Sequence, residues 1–202
     1  MSIQGQYQER FSTLKVIAEK LESHMRDHLN GHPRIDRISA RPKAVESFIN
    51  KAEKEEDGAK KYSDPLKQIQ DQIGARVIVF YKQDVDVVSN IIEDYFRKIE
   101  SVHIVPDSES EFGYFGKHYI LLLPDDVIED GMKSDEIPTF FELQIKTLFQ
   151  HAWSEANHDL GYKSENELEP ETKRKIAFTS AQAWGADLIF NELLSQLVSC
   201  NN

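Results

Sequence analysis

Apolar residues recur at steps of three and four along several stretches of the chain, which is the period of an amphipathic helix. The stretches predicted to be helical are residues 7 to about 29, residues 45–52, a segment capped by Asp84, a segment after Thr147 and a long one that begins near Pro170. Gly31 and Pro33 directly follow the first stretch and are expected to end that helix.

Short β-branched or alternating runs lie between these helices and predict strands. The runs are residues 34–40, Ile73–Phe80, Ser101–Val105, His118–Leu123 and Thr139–Ile145. The charged segment EKEEDGAKK at 53–61 has neither period, and we expect a solvated loop there. The resulting order α-β-α-β-α-β-β-β-α-α indicates an α/β (α+β) fold, in which a mixed sheet of about five strands is flanked by helices.

Charge and cysteine content narrow the class of protein. The 202 residues carry 24 Lys and Arg against 35 Asp and Glu, and this net charge of −11 argues against a DNA-coating or anionic-membrane-binding protein. The single cysteine, Cys200, cannot form an intramolecular disulfide, which indicates a reduced, cytoplasmic environment. We find neither a secretory signal nor an apolar run of bilayer length, and therefore expect a soluble protein.

Two carboxylates are candidates for a metal site. Glu142 and Gln144 are two residues apart in the run FFELQI, so their side chains share one face of the predicted strand. Together with Asp71, Glu142 could hold Mg²⁺, which takes oxygen ligands from one or two carboxylates. The alternative is that Glu142 is the solvated side of an edge strand and Asp71 caps the start of a strand.

Basic residues gather around the second predicted helix. Lys43 and Lys51 are eight residues apart and lie roughly on one side of it, with Arg41 just before. Such a row of cations can bind the negatively charged oxygens of a polyphosphate. The interleaved Glu46 and Glu53 favour the alternative of a solvated charged surface.

Five short motifs follow one another at spacings typical of one family. They are R-x-K-x-x-x-S-x-x-x-K at 41–51, D-x-x-G-x-R at 71–76, G-Y-x-x-x-H at 113–118, ELQIKT at 142–147 and QHAWSEANHDLGYK at 150–163. In this combination, over about residues 35–165, the chain resembles the RelA/SpoT-type alarmone (ppGpp) synthetase family in its small single-domain form.

The resemblance implies a (p)ppGpp synthetase, or GTP pyrophosphokinase, which transfers the β,γ-diphosphate of ATP to the ribose 3′-hydroxyl of GDP or GTP. It also implies a nucleotidyltransferase-like fold, with one synthetase domain over residues 1–202 and helical extensions at 1–30 and 170–200. Relatives are often oligomers, and a homo-oligomer is possible here. The HD dipeptide at 158–159 lies within the synthetase motif, so no hydrolase site is expected.

Individual roles follow from the same resemblance. Asp71 and Glu142 resemble the magnesium-coordinating carboxylates, and Arg76 joins them as a catalytic residue. Glu142 is also a candidate for helping to deprotonate the attacking hydroxyl. The residues that resemble nucleotide-binding positions are Arg41, Lys43, Lys51, Tyr114, His118 and Gln144, with the Tyr114 ring stacking on the acceptor base.

The acceptor motif departs from the family pattern K-x-N-G-Y-R-S-x-H. The Asn of this pattern, which reads guanine, is replaced by Phe112. The Arg is replaced by Phe115 and the Ser by Gly116. Stacking on Tyr114 is indifferent to base identity, so we expect only a modest preference for guanine. The alternatives are an adenine nucleotide or the tRNA 3′ end as acceptor, the latter disfavoured by the net charge, or a nucleotide-binding module without catalysis.

Overall fold

The structure is a computed structural model that describes residues 2–104, 112, 116–163 and 168–200, with the backbone alone at 161–163. The helices are α1 (Ile3–His28), α2 (Val45–Ala52), the short α3 (Pro65–Gln68), α4 (Lys82–Tyr95), α5 (Leu148–Lys163) and α6 (Pro170–Cys200). The strands are β1 (Ile35–Pro42), β2 (Glu55–Glu56), β3 (Ala59–Lys60), β4 (Ile73–Val79), β5 (Lys98–Ile104), β6 (Gly116–Leu122) and β7 (Phe140–Thr147). Among the described helices, none combines the length and the apolar character needed to cross a bilayer.

Five of the strands form one mixed sheet in the order β1-β4-β7-β6-β5. β4 and β7 run parallel, and the other neighbouring strands are antiparallel. The predicted five-stranded mixed sheet flanked by helices is therefore confirmed. β7 lies at the centre of the sheet, so residues on it have neighbouring strands on both sides.

One face of the sheet forms the core. Ala75 and Val77 of β4 and Leu143 of β7 are buried there in one cluster with the apolar stripe of α1, which includes Leu14 and Leu21. Because side chains alternate along a strand, the residues between them point to the opposite face. That second face carries the polar groups of the central strands.

The charged segment at 53–61 is not the loop that its composition suggested. β2 and β3 pair as a small hairpin across the dipeptide Asp57–Gly58, whose φ angles are 53° and 79°. A two-residue hairpin turn of type I′ needs positive φ at both central residues, and Asp-Gly is among the pairs that adopt it most readily. The Asp-Gly pair was the sequence signal for this turn.

Asp84 does not cap α4 as predicted. The helix begins at Lys82, and Asp84 lies buried in its first turn, where it accepts hydrogen bonds from Arg34 Nε at 2.9 and 3.0 Å and from Arg34 Nη2 at 2.8 Å. The carboxylate therefore ties α4 to the chain just before β1. A charge partner 50 residues away in sequence outweighed the local capping preference.

α6 joins the sheet through a buried polar contact. The Thr147 hydroxyl, at the end of β7, donates to Asp187 Oδ2 at 2.7 Å, and both residues are almost fully buried. Next to this contact, the rings of Phe149 and Phe190 stack with centroids 5.6 Å apart. The long helix is thus anchored at the end of the central strand of the sheet.

Burial raises the pKa of Asp187 to about 6, although the hydrogen bond from Thr147 opposes the shift. The unfolded chain releases this proton near pH 4, so stability should fall as the pH rises from about 4 to about 6 and stay lower above that. Asp187→Asn, which is neutral throughout, should therefore raise the unfolding free energy by about 1–3 kcal/mol at pH 8 and little at pH 4. Urea unfolding at both pH values measures this, with exposed Asp94→Asn as control. An equal effect of Asp187→Asn at the two pH values would contradict the expected linkage.

Candidate active site

The polar face of the sheet aligns functional groups from three neighbouring strands. In the parallel pair β4–β7, Gly74 lies opposite Glu142 and Arg76 opposite Gln144, and in the antiparallel pair β6–β7, His118 lies opposite Gln144. Directly paired residues share one face, so these side chains project to the same side. The interpretation of Glu142 as part of an edge strand is wrong, because β7 is bordered by both β4 and β6.

A cleft of about 710 Å³ opens on this face between β1, β4, β7 and α5. The predicted site residues that line it are Arg41, Lys43, Asp71, Arg76, Glu142 and Gln144. Lys51 reaches the same site through Asp71, and His118 lines an adjoining cavity of about 330 Å³ that shares Arg41 with the cleft. Tyr114 lies outside the described residues. The fold therefore brings eight of the nine predicted residues to one place.

Asp71 is the best-connected carboxylate of the cleft. It lies in the 3₁₀ turn at 70–72 that leads into β4, and its Oδ2 accepts hydrogen bonds from Lys43 Nζ and Lys51 Nζ, both at 2.9 Å. Burial acts to raise the pKa of Asp71, but the hydrogen bonds and charges of the two lysines outweigh it and hold this pKa below its ordinary value. These lysines thus flank an ionised carboxylate rather than forming a solvated row.

Glu142 is the second carboxylate and has two polar neighbours. His118 Nδ1 is 3.1 Å from its Oε1, and Gln144 Nε2 donates to its Oε2 at 3.2 Å. Burial acts to raise the pKa of Glu142 and the charge of Asp71 adds to this, but the hydrogen bond and charge of His118 lower the pKa overall. Since the negative charge of Asp71 acts on Glu142, the two carboxylates share one electrostatic environment. Both are ionised at neutral pH.

Arg76 has a partner that sequence reasoning missed. Its Nη1 donates to Glu155 Oε1 at 2.7 Å, across from β4 to α5. Glu155 and His151 are four residues apart and His158 follows three later, so all three lie on the face of α5 that lines the cleft. This i, i+4, i+7 spacing of polar residues was the signal that could have found them.

Lys146 extends the polar row further along β7. Burial and the nearby charge of Arg76 lower the pKa of the Lys146 ammonium to about 8. Its Nζ donates to Ser154 Oγ at 3.2 Å, and the residue lines the adjoining cavity together with His118.

The donor set of the cleft fits Mg²⁺ held jointly with a substrate. Asp71 Oδ1 is buried and accepts no hydrogen bond from any described residue, which leaves one carboxylate oxygen available for a cation. Across the described ranges, no group of three or more His, Cys, Asp or Glu side chains could hold a metal by itself. Mg²⁺ needs only one or two carboxylates when phosphate oxygens and water complete its octahedral shell.

Phe112 is the one described residue between Val105 and Phe115. Its ring packs edge-to-face on Trp184 of α6 with centroids 5.8 Å apart. The residue that replaces the base-reading Asn of the family pattern thus contacts the long C-terminal helix. This contact gives Phe112 an apolar packing role that an amide side chain would fill poorly.

Comparisons with known proteins show similarity over most of the chain. A family model described as a region found in RelA / SpoT proteins matches residues 40–167. The GTP pyrophosphokinase YjbM of Bacillus subtilis (strain 168) is 24% identical over 197 residues, which cover 95% of this chain and 86% of that protein.

Solved structures show the same fold. A GTP pyrophosphokinase family protein from Streptococcus pneumoniae superposes with a TM-score of 0.73 at 23% identity, covering 99% of this chain and 97% of that one. The small alarmone synthetase 1 of Bacillus subtilis, bound to its product pppGpp, gives a TM-score of 0.69 at 23% identity, covering 94% and 93% of the two chains.

Proposed function

We propose, from the premise that this chain belongs to the RelA/SpoT family, that it is a GTP pyrophosphokinase making (p)ppGpp. The β,γ-diphosphate of ATP would be transferred to the ribose 3′-hydroxyl of GDP or GTP. The observation that carries the proposal is the cleft in which the ionised carboxylates of Asp71 and Glu142 lie beside the cations Lys43, Lys51 and Arg76. A protein that only bound a nucleotide would have little use for two carboxylates next to phosphate groups.

The cations of the cleft suit the triphosphate of ATP. Lys43 and Lys51 both point at Asp71 Oδ2, and they would turn to phosphate oxygens when Asp71 takes part in binding Mg²⁺. Arg76 would exchange the single carboxylate of Glu155 for phosphate oxygens. When bound, Mg²⁺ would offset charge on the transferred group, which is the main requirement of phosphoryl-type transfer.

The acceptor side would lie towards β6. Gln144 Oε1 is buried and accepts no hydrogen bond within the described parts of the chain, so it is available to a ribose hydroxyl. His118 lines the adjoining cavity, and Tyr114 would stack on the base. The lowered pKa of Glu142 makes its carboxylate a better metal ligand than a general base, since an effective base has a pKa near the working pH.

The proposed activity is tested with γ-labelled ATP, Mg²⁺ and a panel of acceptors, namely GDP, GTP, ADP, ATP and deacylated tRNA. We expect labelled ppGpp or pppGpp, with kcat/KM for guanine nucleotides only modestly above that for adenine nucleotides. A guanine preference above about 10⁴-fold would contradict a pocket that recognises the base by stacking alone. Transfer only to tRNA, or to no acceptor at all, would overturn the proposed function in favour of one of the alternatives.

Tyr114→Ala should weaken use of the acceptor more than use of ATP. Loss of one stacking contact corresponds to about 1–3 kcal/mol. The expected result is a lower kcat/KM for GDP with little change in the KM for ATP. Phe149→Leu, which alters an aromatic ring stacked on Phe190 of α6, is a control for nonspecific loss. Equal losses for both substrates would argue against Tyr114 as the stacking residue.

The protein should synthesise an alarmone without hydrolysing it. The HD dipeptide His158–Asp159 lies on α5 within the synthetase region, and the described residues offer no cluster of three metal-ligating side chains for a hydrolase. Incubation of ppGpp with Mn²⁺ and protein purified free of other nucleotidases measures this. Release of pyrophosphate at a rate proportional to protein concentration would contradict the prediction.

We also propose that residues 1–202 act as a single synthetase domain, with α1 and α6 as its helical extensions. A homo-oligomer is supported by large apolar side chains that α6 leaves exposed, such as Phe178, Ile189 and Leu197.

A cytoplasmic location stays a prediction from the single cysteine of the sequence. No partner beyond ATP and a guanine nucleotide is proposed for the cleft.

A further inference from the structure

Two histidines face each other at the end of α1, away from the cleft. His24 and His28 are one helical turn apart, and their Nε2 atoms are 3.1 Å from each other. The His28 ring stacks on Tyr95 with centroids 4.3 Å apart, and the His24 ring packs edge-to-face on Phe96 at 5.4 Å. Aromatic contacts from the end of α4 therefore hold both rings in the orientation that brings the two nitrogens together.

A carboxylate orients the first of these rings. His24 Nδ1 is 2.8 Å from Asp126 Oδ2, in the 3₁₀ turn at 125–127 that follows β6. When Nδ1–H donates to this carboxylate, Nε2 of the neutral ring carries a lone pair, which accepts the hydrogen bond from His28 Nε2–H. A carboxylate on the far nitrogen of a histidine is also the arrangement that orients metal-binding imidazoles.

We propose that His24 and His28 bind a divalent transition-metal ion of the zinc or copper type through their two Nε2 atoms, with water completing the coordination shell. Two nitrogens at 2.0–2.1 Å from one ion lie roughly 2.9–3.4 Å apart for bond angles between square-planar and tetrahedral values. The observed separation of 3.1 Å falls within this range, so an ion could replace the proton shared by the two nitrogens once both lone pairs turn towards it.

The ligand type selects the ion. Imidazole suits Zn²⁺ and Cu²⁺, whereas Mg²⁺ prefers oxygen ligands, so this pair would not compete for the magnesium proposed in the cleft. The pair is also on the other side of the sheet. Phe96, which contacts His24, packs on Phe141 at 5.8 Å, and Phe141 points to the face of β7 opposite that of Glu142.

Binding would stabilise the last turn of α1. The ion would link positions i and i+4, and its positive charge would lie near the helix C-terminus, where cations are favourable. A ligand that binds only the folded chain raises the unfolding free energy. Once its concentration exceeds Kd, this increase grows with the logarithm of the concentration. The midpoint of thermal unfolding should therefore rise with added Zn²⁺.

The test is titration of the full chain with ZnCl₂ and with CuCl₂ by calorimetry, without nucleotide and with Mg²⁺ present. We expect a one-to-one binding step that is at least 10-fold weaker in His24→Gln and in His28→Gln. Asp126→Asn should weaken it by about 10–100-fold through the loss of ring orientation. His103→Gln, which removes an exposed histidine on β5, is the matched control and should bind like the wild type.

Nuclear magnetic resonance of wild-type protein provides a second measurement that does not depend on the folding of a variant. Addition of Zn²⁺ should shift the ring signals of His24 and His28 before those of the histidines near the cleft, which include His118 and His151. Undiminished binding by His28→Gln, or first shifts at the cleft histidines, would overturn the proposed site and leave the proposed synthetase function unaffected. Failure of the transferase assay would equally leave this site intact.

Discussion

Glu142→Gln should lower the turnover of diphosphate transfer by at least about 100-fold, the scale expected when a preorganised electrostatic group is lost. The amide keeps the shape of the side chain and can still contact Gln144, but it removes the negative charge that would help to hold Mg²⁺. Asp71→Asn should give a loss of the same order, because it removes the carboxylate whose Oδ1 accepts no bond within the described chain. Initial rates at saturating ATP and GDP measure both effects.

Stability separates a catalytic effect from a structural one. Glu142→Gln should unfold within about 1 kcal/mol of the wild type, because the amide keeps the size of the side chain. Asp71→Asn also loses the ion pairs with Lys43 and Lys51 and should be the less stable of the two variants. Glu171→Gln, at the exposed start of α6, is a control carboxylate outside the cleft and should retain full turnover. Near-normal turnover of Glu142→Gln would remove the catalytic assignment of that residue.

Arg76→Gln should lower kcat/KM for ATP by about 100-fold or more, because a cation that stabilises charge on the transferring group is lost. Arg76→Lys should recover only part of this activity. A lysine keeps the charge but lacks the planar fork that pairs with two oxygens at once, and its shorter reach changes the contact with Glu155. The expected order of activity is therefore wild type, then lysine, then glutamine.

A second arginine controls for general loss of positive charge. Arg97→Gln removes an exposed arginine between α4 and β5. Arg97 does not line the cleft, so this change should leave kcat/KM unchanged. Wild-type activity of Arg76→Lys would show that the fork geometry has no role. Full activity of both would contradict the placement of Arg76 among the catalytic residues.

Much of the fold follows from local patterns. The buried stripe of α1 and the five main strands were predicted with shifts of a few residues at their ends, because alternation and helical spacing record which face each residue buries. The sequence also determined the candidate residues themselves, since the spacing of the motifs carries the family resemblance. Periodicity alone missed the hairpin at 53–61, whose local signal was the Asp57–Gly58 pair, with positive φ at both residues.

Only the tertiary structure decided what each polar residue contacts. Lys43 and Lys51 converge on one oxygen of Asp71, Glu155 reaches Arg76 from another element, and Asp84 pairs with Arg34. Such pairings join residues that are 20 to 79 positions apart. The sequence by itself determined which chemical groups are present and on which face of a strand or helix they lie, because those depend on a period of a few residues. Strand order and helix docking then decided which of these groups meet, because distance in space is set by the packing of the whole chain.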